Sequence, residues 1–92
     1  MTMLQTISIK VTGKVQGVFY RQSTKEAAIS LNITGEVKNM ADGSVHIIAT
    51  GTDDQLKELI EWCKKGPKRA VVTNVVTENI PLKIFTSFNI VK

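Results

Sequence analysis

One cysteine, one histidine and two prolines are all that 92 residues provide of those types, and aromatic residues make up only 5%. The single Cys63 removes intramolecular disulfides and every multi-cysteine metal site, cysteine-ligated iron–sulfur clusters included. His46 has no second histidine with which to share a metal, and no run of carboxylates suggests Mg²⁺ or Ca²⁺. No bound metal or cofactor is therefore expected. Long apolar runs are also missing; none approaches the ~20 residues that cross a bilayer. The start, Met1-Thr2-Met3-Leu4-Gln5-Thr6, lacks a basic segment followed by an apolar one. No secretory signal is expected from it, and a cytoplasmic location without membrane contact is.

What remains is an ordinary globular composition, 42% hydrophobic and 22% charged. The length suits one domain, residues 1–92, with no repeats, linkers or low-complexity tracts. Twelve Lys and Arg against eight Asp and Glu leave a net charge of +4. That sign favours anionic partners without choosing among nucleic acid, phosphorylated metabolites and membrane surface. The densest basic set, Lys64, Lys65, Lys68 and Arg69, straddles Gly66-Pro67 and reads as helix-end complement and loop solvation.

Hydrophobic periodicity gives the elements. Ile7, Ile9 and Val11 alternate with Ser8, Lys10 and Thr12, the period of a half-buried strand, which Gly13 ends. After a loop from Lys14 to Phe19, the spacing of Tyr20, Thr24, Ala27, Ala28 and Leu31 predicts one face of a helix. Asn32, tolerant of the left-handed conformation, would stop it. Strands at Glu36 to Lys38 and Val45 to Ala49 flank Asn39-Met40-Ala41-Asp42-Gly43, where Asp-Gly reads as a hairpin connection. Thr52 and Gln55 form a capping box for a second helix whose stripe is Leu56, Leu59, Ile60 and Cys63, with Trp62 beside it. Gly66-Pro67 stops that helix. A strand from Ala70 to Val76, and a last one near Phe85 to Val91, complete the order βαββαβ, with a short terminal strand allowed. This order predicts an α+β, ferredoxin-like (split βαβ) sandwich: an antiparallel sheet with two helices on one face.

Fold alone does not give function, and most chemistry-bearing residues have ordinary explanations. His46 reads as an exposed strand residue, Cys63 as a small core side chain. Asp53, Asp54, Glu58 and Glu61 cap or solvate the second helix. The segment Gly13-Lys14-Val15-Gln16-Gly17-Val18-Phe19-Tyr20-Arg21 is different. A strand-to-helix loop with glycines turns consecutive N–H groups toward one point, where the helix N-terminus adds partial positive charge. Arg21 beside it would offer a bidentate fork to phosphate oxygens. The loop lacks the GxxxxGK[ST] and GxGxxG patterns of nucleotide binders. On these facts alone, a tight connection with a solvated arginine fits equally well.

The same segment, followed by Thr24, resembles the first signature of the acylphosphatases, and Gly35-Glu36-Val37-Lys38-Asn39 with Asp42-Gly43-Ser44-Val45 resembles their second. Gly66-Pro67, Ala70-Val71-Val72, Val75 to Glu78 and Phe88-Asn89-Ile90 follow the family's later course, so the likeness spans nearly the whole chain. It implies a metal-free, ferredoxin-like hydrolase that splits acyl phosphates into a carboxylate and inorganic phosphate. Carried over by position, Arg21 would bind the phosphate and Asn39 would orient the attacking water. The backbone of Val15, Gln16, Gly17, Val18, Phe19 and Tyr20 would form the cradle. Inorganic phosphate would be product and competitive inhibitor, and the chain a monomer. Three positions depart from the pattern: Glu36 where an aromatic residue is common, Lys38 for arginine, and Asn32 for glycine.

Two rivals remain at this level. A nucleic-acid module of the same element order stacks bases on aromatic residues of its central strands. Here Thr6 to Thr12 and Ser44 to Thr50 contain none, which argues against nucleic acid as a partner. The other is a non-catalytic domain that keeps the phosphate cradle without turnover; the presence of both Arg21 and Asn39 argues against it.

Overall fold

The computed structural model describes residues 3–92, so Met1 and Thr2, where the segment read as lacking a signal begins, lie outside the described residues. Its elements are β1 (Gln5–Lys14), α1 (Tyr20–Ser30), β2 (Thr34–Asn39), β3 (Val45–Gly51), α2 (Asp53–Lys65), β4 (Val71–Ile80) and β5 (Phe88–Val91). One five-stranded sheet has the order β4-β1-β3-β2-β5. The expected α+β sandwich of ferredoxin-like type is what forms, with one difference in the placing of the last strand, expected near Phe85 to Val91. β5 adds to the far edge and pairs parallel with β2, so the sheet is mixed rather than wholly antiparallel.

β1 lies inside the sheet, antiparallel to both β3 and β4. Its inward residues Ile7, Ile9 and Val11 meet Val37, Val45, Ile47 and Ala49 in a single buried cluster. From above, α1 contributes Tyr20 and Ala28, and α2 contributes Leu56, Leu59 and Cys63. Ile60 and Trp62 are only half-buried at the margin of that cluster. Among the described residues no helix is long and apolar enough to cross a membrane.

Strand directions decide where a site can lie. β1 and β2 both run antiparallel to β3, and β5 runs parallel to β2, so β1, β2 and β5 share one direction. Their C-terminal ends therefore meet at the same end of the sheet, together with the N-terminus of α1 that follows β1. Reaching this arrangement requires the chain to cross from β4 at one edge to β5 at the other. Lys83 in that connection is held at the sheet's opposite end: its N–H donates to Thr6 Oγ1 at 2.9 Å, and its carbonyl accepts from Thr50 Oγ1 at 2.7 Å.

Boundaries differ from the sequence reading in instructive ways. β1 continues past Gly13 to Lys14 through a register shift between Thr12 and Gly13. A Cβ at Gly13, whose φ is 129°, would stand 2.1 Å from the Val71 carbonyl oxygen, so β4 can approach only a glycine there. Asn39 is the last residue of β2, paired with Val45, rather than part of the hairpin connection. Asn32 does end α1, in a Schellman arrangement: φ is 60°, its N–H reaches the Ile29 carbonyl at 3.0 Å, and the Ile33 N–H reaches that of Ala28 at 2.8 Å.

Candidate functional site

The β1–α1 loop leaves β1 at Lys14 and passes through two left-handed residues, Gly17 at φ 74° and Phe19 at φ 62°. Space does not dictate the glycine, because nothing lies within 4 Å of a Cβ built at Gly17. The requirement is the backbone turn itself, which any other residue would adopt under strain. At Phe19 the chain accepts that strain, about 1–2 kcal/mol for a residue with a Cβ. Such conformations persist where the surroundings over-determine them, often at functional sites.

Two clamps hold the loop. Gln16 Nε2 donates to the carbonyls of Met40 at 2.8 Å and Ser44 at 2.9 Å, the two ends of the β2–β3 hairpin. The hairpin is itself shaped by Asp42, which accepts from the Ser44 N–H at 3.0 Å and pairs with Lys10 at 3.1 Å. Hydrogen bonds from Ser44 and the Lys10 ammonium hold the Asp42 carboxyl below its usual range. The second clamp is Tyr20, whose hydroxyl donates to the Cys63 carbonyl at 2.8 Å and whose ring lies 5.4 Å from that of Trp62. The first residue of α1 is thereby fixed against the end of α2, and Arg21 follows it. Burial pushes the Tyr20 hydroxyl well above its normal pKa, and the Cys63 thiol up to about 12. Neither group is an acid, base or nucleophile near neutral pH.

A cleft of about 430 Å³ opens where these pieces meet. The loop supplies Val15, Gly17 and Phe19, the first turn of α1 supplies Tyr20, Arg21 and Gln22, and β2 supplies Asn39. Ile90 and Lys92, at the end of β5, complete its wall. Gln16 and Val18 do not line it: one side chain is spent on the hairpin, the other is buried in the core. No Asp or Glu lines the cleft, while the basic residues Arg21 and Lys92 do. Arg21 takes part in none of the ion pairs among the described residues.

The backbone donors at the start of α1 are likewise without partners among the described residues. The first bond of α1 runs from the Ser23 N–H to the Phe19 carbonyl at 3.0 Å, and no side chain caps the helix. The N–H groups of Tyr20, Arg21 and Gln22 thus have no intrahelical acceptor, and the positive end of the helix dipole faces the cleft. Across from them, Asn39 Oδ1 is buried with no hydrogen-bond partner among the described residues. A buried acceptor left this way costs about 1–3 kcal/mol. The arrangement fits a tetrahedral oxyanion, with an amide beside it.

Of the residues expected from sequence, Arg21, Asn39, Val15, Gly17, Phe19 and Tyr20 are brought together. Gln22, Ile90 and Lys92 were not foreseen. A parallel β2–β5 pairing, in which Lys38 sits opposite Val91, is what carries the last two to the cleft beside Asn39. His46 and Cys63 lie outside the cleft lining, and no three His, Cys, Asp or Glu side chains gather among the described residues.

Comparison with known proteins shows the family. The family model for acylphosphatase matches residues 7–90. An acylphosphatase of Marinobacter nauticus is 52% identical over 79 residues, covering 85% of this chain and 86% of that one. The solved structure of an acylphosphatase from Coxiella burnetii matches with a TM-score of 0.92 at 40% identity, over 95% of this chain and 92% of that chain. For acylphosphatase from Bacillus subtilis the TM-score is 0.93 at 34% identity, over 98% and 100%.

Proposed function

The chain belongs to the acylphosphatase family and is an enzyme acting on acyl phosphates, and we propose that Arg21 binds the phosphoryl group while Asn39 positions the attacking water. The phosphoryl oxygens sit against the Arg21 guanidinium and the open N–H groups of the loop and of α1's first turn. A water held by the Asn39 amide attacks phosphorus in line with the acyl oxygen. The P–O bond to the acyl group breaks, its electron pair leaves with the carboxylate, and both protons of the water end on the phosphate as H₂PO₄⁻.

The short list of side chains is enough for this reaction. The leaving carboxylate has a conjugate acid of pKa about 4–5, so it departs as a stable anion without a general acid. Phosphoryl transfer depends mostly on positioning and on charge stabilisation at the oxygens. No acidic side chain or histidine lines the cleft, so the proton passes to the substrate phosphate, directly or through bulk water.

The unpartnered Asn39 Oδ1 carries the water-positioning role. Buried polar atoms in native folds are nearly always paired, and a small rotation of this side chain lets a cleft water supply the missing donor. On this reading the chain works as a single cytoplasmic domain and monomer, without metal. Its partners are the acyl phosphate and inorganic phosphate, which competes for the same cradle, and nucleic acid is not among them. Initial rates with acetyl phosphate test it: turnover survives exhaustive chelation with EDTA and is inhibited competitively by phosphate. Non-competitive inhibition, or activity restored only by a divalent cation, would contradict it.

A further inference from the structure

One side chain in the loop breaks the burial pattern of its neighbours. Val18 is 5% and Tyr20 1% exposed, whereas Phe19 between them is 74% exposed. The left-handed backbone at Phe19 turns the chain between two core residues and leaves the ring outside. An exposed left-handed position is better served by Gly, Asn or Asp, which adopt that conformation readily and leave no apolar surface in water. Fold stability therefore does not account for an aromatic residue here.

The ring's location does. Phe19 lines the same cleft as Arg21, together with the half-buried Ile90. The cleft thus has a polar part, Arg21, Asn39 and the helix N-terminus, and an apolar part made by Phe19, Ile90 and Val15. Its volume of about 430 Å³ is in the range that holds organic ligands rather than a lone tetrahedral anion. A phosphoryl group uses only the polar part.

From this juxtaposition we infer that Phe19 and Ile90 bind the acyl substituent and make the enzyme selective for acyl phosphates with flat, apolar acyl groups, aromatic ones above all, over acetyl phosphate. The inference rests on the phosphate position proposed above, since the acyl group is placed relative to Arg21. A ring seated on Phe19 gains an offset or edge-to-face contact that a methyl group cannot make. That contact is already present in the bound substrate, so it is read mainly in KM.

The test compares kcat/KM for benzoyl phosphate and acetyl phosphate in the parent, Phe19→Asn, Phe19→Tyr and Ile90→Ser. Asn is chosen because it keeps the left-handed turn, and the inhibition constant of inorganic phosphate reports whether the cradle is intact. The benzoyl-to-acetyl ratio falls about five- to tenfold in Phe19→Asn, the worth of one aromatic contact. It falls in the same direction in Ile90→Ser and returns in Phe19→Tyr. A ratio unchanged in both Phe19→Asn and Ile90→Ser, or rates for both substrates falling in parallel, overturns the assignment. Failure of the hydrolase mechanism itself looks different: the parent would turn over neither substrate or would not be inhibited by phosphate.

Discussion

The two helices pack on the same sheet but treat their N-termini in opposite ways. At α2, Thr52 Oγ1 accepts from the Gln55 N–H at 3.3 Å and Gln55 Oε1 accepts from the Thr52 N–H at 2.9 Å. Asp53 and Asp54 occupy its first turn, Lys64 and Lys65 its last, and Asp53 pairs with Lys57 at 3.0 Å. Every local rule for ending a helix is obeyed. At α1 there is no capping side chain, no acidic residue in the first turn, and a strained phenylalanine at the N-cap. Its C-terminus, by contrast, is closed by the Asn32 arrangement, so indifference to capping is not a property of the whole helix. Only the end that faces the cleft is left open. A helix end that keeps its donors and its dipole free is available to an anion, and local rules are broken where function requires it.

The largest expected effect comes from removing the cation at the open end. Arg21→Gln lowers kcat/KM about 10²–10³-fold, the scale of losing one oxyanion donor, and abolishes competitive inhibition by phosphate. Because Arg21 makes no ion pair in the fold, the melting temperature stays near that of the parent. A variant that still bound phosphate with parental affinity would show that the open helix end does not need its arginine.

Closing the α1 end with charge is the next test. Gln22→Glu puts a carboxylate among the free donors and weakens phosphate binding roughly tenfold, the cost of about 1.4 kcal/mol of repulsion. Stability barely moves: a dipole gain of about 0.3–1 kcal/mol is offset by repulsion of a few tenths from Glu26, which Gln22 now contacts at 3.2 Å. Calorimetry with phosphate and a thermal melt measure the two together.

The reverse experiment opens the closed end. Thr52→Ala costs about 1 kcal/mol of stability and leaves kcat unchanged, seen as a lower denaturation midpoint with intact turnover. A loss of activity greater than the unfolded fraction would mean that α2's cap also shapes the cleft.

The smallest effect lies on the other face of the sheet. His46 stands opposite Lys10 on β1 and Lys38 on β2, with Glu36 nearby. Burial, then Lys38, lower its pKa, which Glu36 partly opposes and Lys10 reinforces. The folded imidazole takes up a proton less readily than the unfolded one. Its contribution is therefore complete above about pH 6.5 and is lost as pH falls through that value toward the lower folded pKa. In His46→Gln the melting temperature drops less between pH 8 and pH 5 than in the parent.

Legibility in the sequence follows the range of the interactions. The capping box, the α2 stripe and the Asn32 stop depend on residues within a few positions of one another, and the structure reproduces them. The connection from Val15 to Phe19, with Arg21 in the first turn of α1, was equally readable, because its glycine and the arginine lie close to the helix start. The last strand was legible too, expected near Phe85 to Val91 and formed at Phe88–Val91, but its place was not: it owes that to parallel pairing with a strand some fifty residues earlier. Without that pairing nothing in the sequence brings Ile90 and Lys92 to the cleft. β4 was cut short at Val76 because its apolar run ends there; pairing with β1 carries it on to Ile80 through polar residues. Asn39 read as a turn residue beside Asp-Gly, and only the register with Val45 shows that a strand holds it.

In the proposed mechanism, holding Asn39 on a strand, apart from the donors of α1, divides the labour: one side of the cleft meets the charge, the other directs the water. An interaction made only in the transition state lowers kcat without weakening ground-state binding. The direct measurement is kcat for acetyl phosphate and the dissociation constant of inorganic phosphate on one preparation of Asn39→Ala, with its melting curve. The account predicts a folded protein whose kcat falls about 10²–10³-fold while phosphate affinity changes less than about twofold. A folded variant that keeps substantial turnover, or one whose phosphate affinity falls in step with kcat, contradicts it.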